Sequence, residues 1–249
     1  NMAHGEFVMI GAYAPVITSS LGLPTWLQLP VCLVTVALVA LFLERTIIRH
    51  LYGRMFDSLL ATWGIAILLR EVVELLFGRG YQSVSVPIAG TVEIFGAQYP
   101  LYRIVVVAVI LVCFGALAWW NRRSKVATQI KAMVGNPELA QAVGINTARL
   151  SAAAFVFGCC TAGVAGLLLA PTIRIEPMMG IDYLIRSFFA LVVGGLGSLE
   201  GLGLGVTLIA GTQSVIGAFA SQTYGYFAVL TLSILFLWLK PDGIRSSSR

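Results

Sequence analysis

Two apolar runs, residues 101–120 and 150–170, stand on either side of a polar island at residues 121–149. Each run is long enough to cross the hydrocarbon core of a bilayer, which takes about 20 consecutive apolar residues in a helix. Inside lipid every backbone N–H and C=O must find its partner within the chain. Runs that are continuously apolar, with no period-two alternation, satisfy this as helices. Hydrophobic residues make up 58% of the chain and charged residues 11%, where a soluble domain carries about 25% charged. The expected class is therefore all-α: a polytopic membrane protein forming one domain over residues 1–249.

Six further apolar segments extend the count: residues 7–20, 28–43, 58–77, 183–193, 203–220 and 224–239. About eight membrane or half-membrane helices follow. The segment 7–20 is short, and 183–193 is short and runs into a glycine-rich break. The basic residues set the orientation. Arg45, Arg49 and Arg54 follow the second segment. Arg122, Arg123, Lys125, Lys131 and Arg149 lie in the island, and Lys240, Arg245 and Arg249 follow the last segment. The positive-inside rule puts all three clusters on the cytoplasmic face, in agreement with the number of spans between them. Residues 78–100, with Pro87, Gly90 and Gly96, then face outward, as do residues 171–182. Because the cations sit between spans, the net charge of +5 reflects orientation and lipid headgroups, not a nucleic-acid partner.

The island is patterned too regularly for a plain connector. Asn136 suits a helix N-cap, Pro137 the first helical position, and Glu138 the positive N-terminal end. Gly144 supplies a stop. A short capped helix over residues 137–143, exposed on the cytoplasmic side, is a candidate docking element.

The chain carries no HExxH, CxxC, GxSxG or phosphate-loop motif. If ATP drives its function, another chain must bind the nucleotide. The four cysteines, Cys32, Cys113, Cys159 and Cys160, lie in apolar runs without metal-like spacing, as small hydrophobes do. Two glycine-bearing stretches precede helices. Asn1, His4, Gly5 and Glu6 lead into the first segment, and Gly194, Gly195, Gly197 and Ser198 lead through Glu200 into the seventh. Broken helices at membrane depth line cavities or are buried in protein, so both stretches are candidates for the translocation path. Close packing through small residues is the alternative. Arg70 with Glu74, and Asp182 with Arg186, are spaced to pair along one helix face. Both pairs are candidate charges at the outer mouth. The opening residues, without a leader pattern, also create the expectation of a further helix upstream.

These residues resemble the membrane permeases of ABC importers for branched-chain amino acids, a group that also includes urea-importer permeases. Asn1-Met2-Ala3-His4-Gly5-Glu6, with Met9 and Gly11-Ala12-Tyr13, is similar to the family's N-terminal motif. Gly194-Gly195-Leu196-Gly197-Ser198, with Gly201, resembles its second glycine motif. Asn136-Pro137-Glu138-Leu139-Ala140, with Gly144-Ile145-Asn146, resembles its cytoplasmic loop, and Lys240-Pro241-Asp242-Gly243 its C-terminal ending. Four motifs in order cover essentially the whole chain.

The resemblance implies a multi-pass translocator of the bacterial inner membrane. It would work with a second homologous permease, ABC ATPase subunits and a periplasmic substrate-binding protein. It also implies that the island holds the coupling helix, with Glu138, Ala140 and Gly144 as contacts to the ATPase. ATP and Mg²⁺ would be bound by the partner subunits, with no cofactor on this chain. Gly135-Asn136 stands where relatives often carry a charged residue ahead of the proline, so the identity of the ATPase stays open. The stretches 51–54 and 60–64 look closer to urea-type permeases, so urea or a short amide remains the alternative to a hydrophobic amino acid. From a different class, a stand-alone channel or secondary transporter would also use broken helices.

Overall fold

The structure, a computed structural model, describes residues 1–94, 96–195, 197–239 and 243–244. Ten α-helices follow in order among them: α1 His4–Ser20, α2 Gln28–Thr46, α3 Met55–Phe77, α4 Leu101–Arg123, α5 Lys125–Gly135, α6 Pro137–Ala142, α7 Thr147–Leu169, α8 Met179–Gly194, α9 Leu199–Phe219 and α10 Gln222–Leu239. The chain is all-α in its transmembrane part, as its composition dictates. Among the described residues, five helical segments are long and apolar enough to cross a membrane: Thr25–His50, Leu101–Arg123, Thr147–Thr172, Leu199–Phe219 and Gln222–Leu239. The expected count of about eight is not reached by this measure. α1 and α8 are only 17 and 16 residues long. α3 carries Asp57, Arg70, Glu71 and Glu74.

The chain divides into two compact units, Asn1–Ile181 and Asp182–Arg249. In the first, α1 is the core. Residues 5–15 are all buried, among them Phe7, Met9, Ala12 and Tyr13. A helix apolar on every side has no solvent or lipid face to present, and this one is wrapped by α2, α3 and α7. Small residues let the backbones close in. A Cβ added at Gly11 would stand 1.9 Å from the carbonyl oxygen of Gly163, and one at Gly166 would stand 1.9 Å from that of Val8. Helix association in lipid relies on such close van der Waals contact, because lipid tails remove the hydrophobic drive between helices.

α1 and α3 run in the same direction, as their contacts advance together along both. The Met2 N–H donates to Thr62 Oγ1, Glu6 meets Arg70, and the Tyr13 ring lies 4.7 Å from that of Phe77. α4 is moored to α7 by the Tyr102 hydroxyl donating to the Leu168 carbonyl, and by Trp120 against Phe157. Its exposed Val107, Ile110, Leu111 and Val112 form an apolar flank suited to lipid.

The outward stretch after α3 holds a feature the sequence reading missed. Strands β1 Thr91–Ile94 and β2 Ala97–Pro100 pair antiparallel in the register Thr91↔Pro100 and Val92↔Tyr99. Gln82 and Ile175 exchange both backbone hydrogen bonds, tying this stretch to the loop before α8.

In the second unit, Val193, Ile209 and Val229 form the core, with Phe189, Leu232, Phe236 and Ile244 against it. α9 approaches α8 at Gly205, where a Cβ would come within 2.2 Å of the Ala190 carbonyl oxygen. α10 approaches α9 at Gly225, beside Gln213.

Candidate functional site

The N-terminal stretch leads directly into α1. α1 starts at His4, three residues before the expected start, so Gly5 and Glu6 belong to its first turn. The Asn1 carboxamide oxygen accepts from the Ala3 N–H, and the Asn1 carbonyl from the His4 N–H. Asn1 thus shapes the entry to the helix. His4 is half-buried, and Gly5 and Glu6 are buried.

Glu6 is where the structure departs furthest from the sequence reading. Arg70 does not pair with Glu74 along α3. Its Nη2 donates to Glu6 Oε1 at 2.6 Å, across helices 64 residues apart in sequence. Glu74 instead receives Arg79 from the outward loop, and that neighbour holds the Arg79 guanidinium above its ordinary range. The side chains of Glu6 and Arg70 are 3% and 14% exposed. Arg70 therefore sits in the α1/α3 seam rather than at an open mouth. A third element closes the pair: a Cβ added at Gly180, in the first turn of α8, would stand 2.8 Å from Glu6 Oε2. Charges taken out of water are tolerated when they compensate one another, and removing one partner of a buried pair typically costs about 3–5 kcal/mol.

Asp182 and Arg186 do not pair with each other either. Arg186 donates to the Tyr226 hydroxyl and lies over that ring, 5.2 Å from its centre. An aromatic with a polar tip, one helix away, offers the guanidinium both a hydrogen bond and a π face.

The second glycine motif is a true break. α8 ends at Gly194, Gly195 and Gly197 have φ of 98° and 85°, and α9 begins at Leu199. Only glycine adopts such angles freely, so this motif needs its glycines for conformation. Ser198 caps α9, its hydroxyl accepting from the Gly201 N–H at 3.0 Å. Leu196 lies outside the described residues. Gly243, from the C-terminal motif, comes to the same place. The Ile244 N–H donates to the Val193 carbonyl, and a Cβ at Gly243 would lie 2.3 Å from Gly195 Cα. Lys240, Pro241 and Asp242 lie outside the described residues, as do Arg245 and Arg249. Gly195 and Gly243, one residue from each motif, thus meet backbone to backbone.

The island folds as two helices rather than one. Ser124 caps α5 by accepting from the Val126 N–H. The Asn136 carboxamide oxygen accepts from the Leu139 N–H at 3.0 Å, Pro137 takes the first helical position, and Glu138 sits in the first turn. Gly144, at φ 86°, ends the element, with the Ile145 N–H returning to the Ala140 carbonyl. Asn146 then caps α7 through the Arg149 N–H. These local rules read correctly from sequence because each links residues no more than five apart. α5 was missed because Ser124 follows a basic run and carries no acidic first turn. Ala140 is 3% exposed and packs inward, whereas Leu139 and Val143 are 62% and 69% exposed. Asn136, Pro137, Glu138 and Gly144 are exposed as well. The outward face of α6 is therefore apolar at its centre, with a carboxylate at its N-terminal end.

A family model described as the permease component of the branched-chain amino acid transport system matches residues 1–239. The high-affinity branched-chain amino acid transport system permease protein LivH of Salmonella typhimurium is 29% identical over 262 residues, spanning 98% of this chain and 84% of its own. The corresponding BraD protein of Pseudomonas aeruginosa is 30% identical over 265 residues, spanning 98% and 85%. A probable branched-chain amino acid transport permease protein LivH of Methanocaldococcus jannaschii is 27% identical over 267 residues. No solved structure matches.

Proposed function

Because this chain belongs to the family of permease components of branched-chain amino acid transport systems, we propose that it is the translocation subunit of an ATP-driven importer for branched-chain amino acids. It is a multi-pass inner-membrane transport subunit rather than an enzyme. The observation that carries the importer reading is the match along residues 1–239, which includes the glycine motifs and the capped island together.

On this reading α6 is the coupling element. Its exposed Leu139, with Val143 just past its end, enters a cleft of an ABC ATPase subunit, and Glu138 meets a basic group there. ATP and Mg²⁺ act on that subunit. A second homologous permease completes the path, and a periplasmic binding protein delivers the amino acid. The glycine break at Gly194, Gly195, Gly197 and Ser198 supplies backbone groups to the path. The names of the relatives favour a branched-chain amino acid over urea or a short amide.

The test is co-purification with a co-expressed ABC ATPase subunit, comparing wild type with Glu138→Lys and Gly144→Pro, together with uptake in proteoliposomes. Wild type should assemble and take up leucine only with ATP and its partners. Both variants should lose ATPase capture. Uptake by the isolated chain without ATP would refute the importer in favour of a self-contained channel or secondary transporter. Intact assembly and uptake in both variants would remove α6 from the coupling role.

A further inference from the structure

Among the described residues, three buried side-chain polar atoms lack any hydrogen-bond partner: Glu6 Oε2, Arg70 Nε and Tyr13 Oη. All three belong to one seam. Glu6 and Tyr13 lie two turns apart on α1, and Arg70 and Phe77 lie two turns apart on α3, in matching order. Buried polar groups in native proteins are nearly always satisfied, so orphans gathered in one place point to something that comes and goes there. Ionisable residues within a membrane protein's helices carry the same implication.

The orphans define the chemistry of the visitor. Glu6 Oε2 requires a donor or a cation. Arg70 Nε–H requires an acceptor or an anion. A ligand satisfying both carries an ammonium and a carboxylate close together. An α-amino acid is such a ligand, and as a zwitterion it can take the place of the internal Glu6–Arg70 contact without changing the net charge of the seam. A ligand with a net charge would leave one buried charge uncompensated. Gly180 fits this role, since any side chain there would press on Glu6 Oε2.

We propose that Glu6 and Arg70 form a subsite for the main-chain ammonium and carboxylate of the transported amino acid, closed on itself between transport events. When the amino acid arrives, Glu6 turns from Arg70 to the ammonium and Arg70 turns to the carboxylate. Tyr13 offers the next hydrogen-bonding group along the seam. The main chain, common to all amino acids, is read here, so selection among side chains falls elsewhere. The assignment rests on the importer reading above.

The experiment uses the full chain assembled with its companion permease and ATPase subunits in proteoliposomes, with the binding protein and radiolabelled leucine outside. Thermal stability of each assembly is measured in parallel. Three forms are compared: wild type, the double variant E6Q/R70Q, which keeps hydrogen-bonding groups but removes both charges, and the swapped pair E6R/R70E. Loss of two charge-assisted contacts lowers uptake by E6Q/R70Q about tenfold or more at saturating binding protein. The swapped pair regains the thermal stability of an ion pair but not uptake, because it presents each charge to the wrong end of the ligand. Wild-type uptake by E6Q/R70Q, or uptake restored together with stability in E6R/R70E, would mean that the pair serves only to hold the helices, and would overturn the subsite. Absence of ATP-driven leucine uptake by wild type would instead refute the importer reading itself, and the subsite with it.

Discussion

Replacing Gly166 by alanine adds one methyl group where α7 meets α1, and the structure gives that methyl no room. It would lie 1.9 Å from the Val8 carbonyl oxygen and within 3 Å of Val8 C and Ala12 N. All three are backbone atoms of a buried helix, so no side chain can swing aside. Ordinary contact begins near 3.4 Å, which leaves α1 and α7 to separate by about 1.5 Å. Overpacking by a methylene typically costs about 1–3 kcal/mol, and rigid backbone on both sides puts this site at the upper end of that range. The loss spreads, because α1 packs against α2, α3 and α7 together. Gly11→Ala, 1.9 Å from the Gly163 carbonyl oxygen, should behave in the same way. Gly158→Ala, on the same α7 with nothing within 4 Å of its added Cβ, is the matched control. It should be neutral or slightly stabilising, as alanine favours helix over glycine by about 1 kcal/mol. Thermal denaturation of the purified protein in detergent, read by loss of the monodisperse species, should place Gly166→Ala and Gly11→Ala several degrees below wild type and Gly158→Ala at or above it. Equal melting of all three would show that α1 and α7 are not in backbone contact, and the buried seam built on α1 would lose its support.

Two further outcomes follow from local contacts. Asn136→Ala removes the acceptor for the Leu139 N–H and should weaken α6 by about 0.5–2 kcal/mol, read as faster amide exchange at residues 138–142 with the membrane helices unchanged. Tyr226→Phe keeps the ring under Arg186 but removes the hydroxyl that accepts from it. It should cost about 0.5–1.5 kcal/mol and less than Tyr226→Leu, which removes the ring too; equal melting of the two variants would discount the cation–π contact.

The amino-acid sequence alone determined the membrane class, the helical content, the long spans and the ends of α6. Each depends on chain composition or on residues within one turn of each other. Continuous apolar runs leave a helix as the economical way to satisfy the backbone in lipid. Asn136, Pro137 and Gly144 act on amides no more than four residues away. The pairing of β1 with β2 escaped because neither strand carries a strong alternation. Arg70 shows what only the tertiary structure decided. Its spacing to Glu74 satisfies the helical pairing rule, yet burial of α1 brings Glu6 to it from 64 residues away. A carboxylate inside the core has far more to gain from that guanidinium than Glu74, which can reach Arg79 in the outward loop. Likewise, Gly243 and Gly195 read as separate motifs until the chain returns one to the other. Local rules choose the helices. Which charges and glycines face each other depends on which helix is buried among the rest, and that emerges only when the backbones close to within a methyl group of one another.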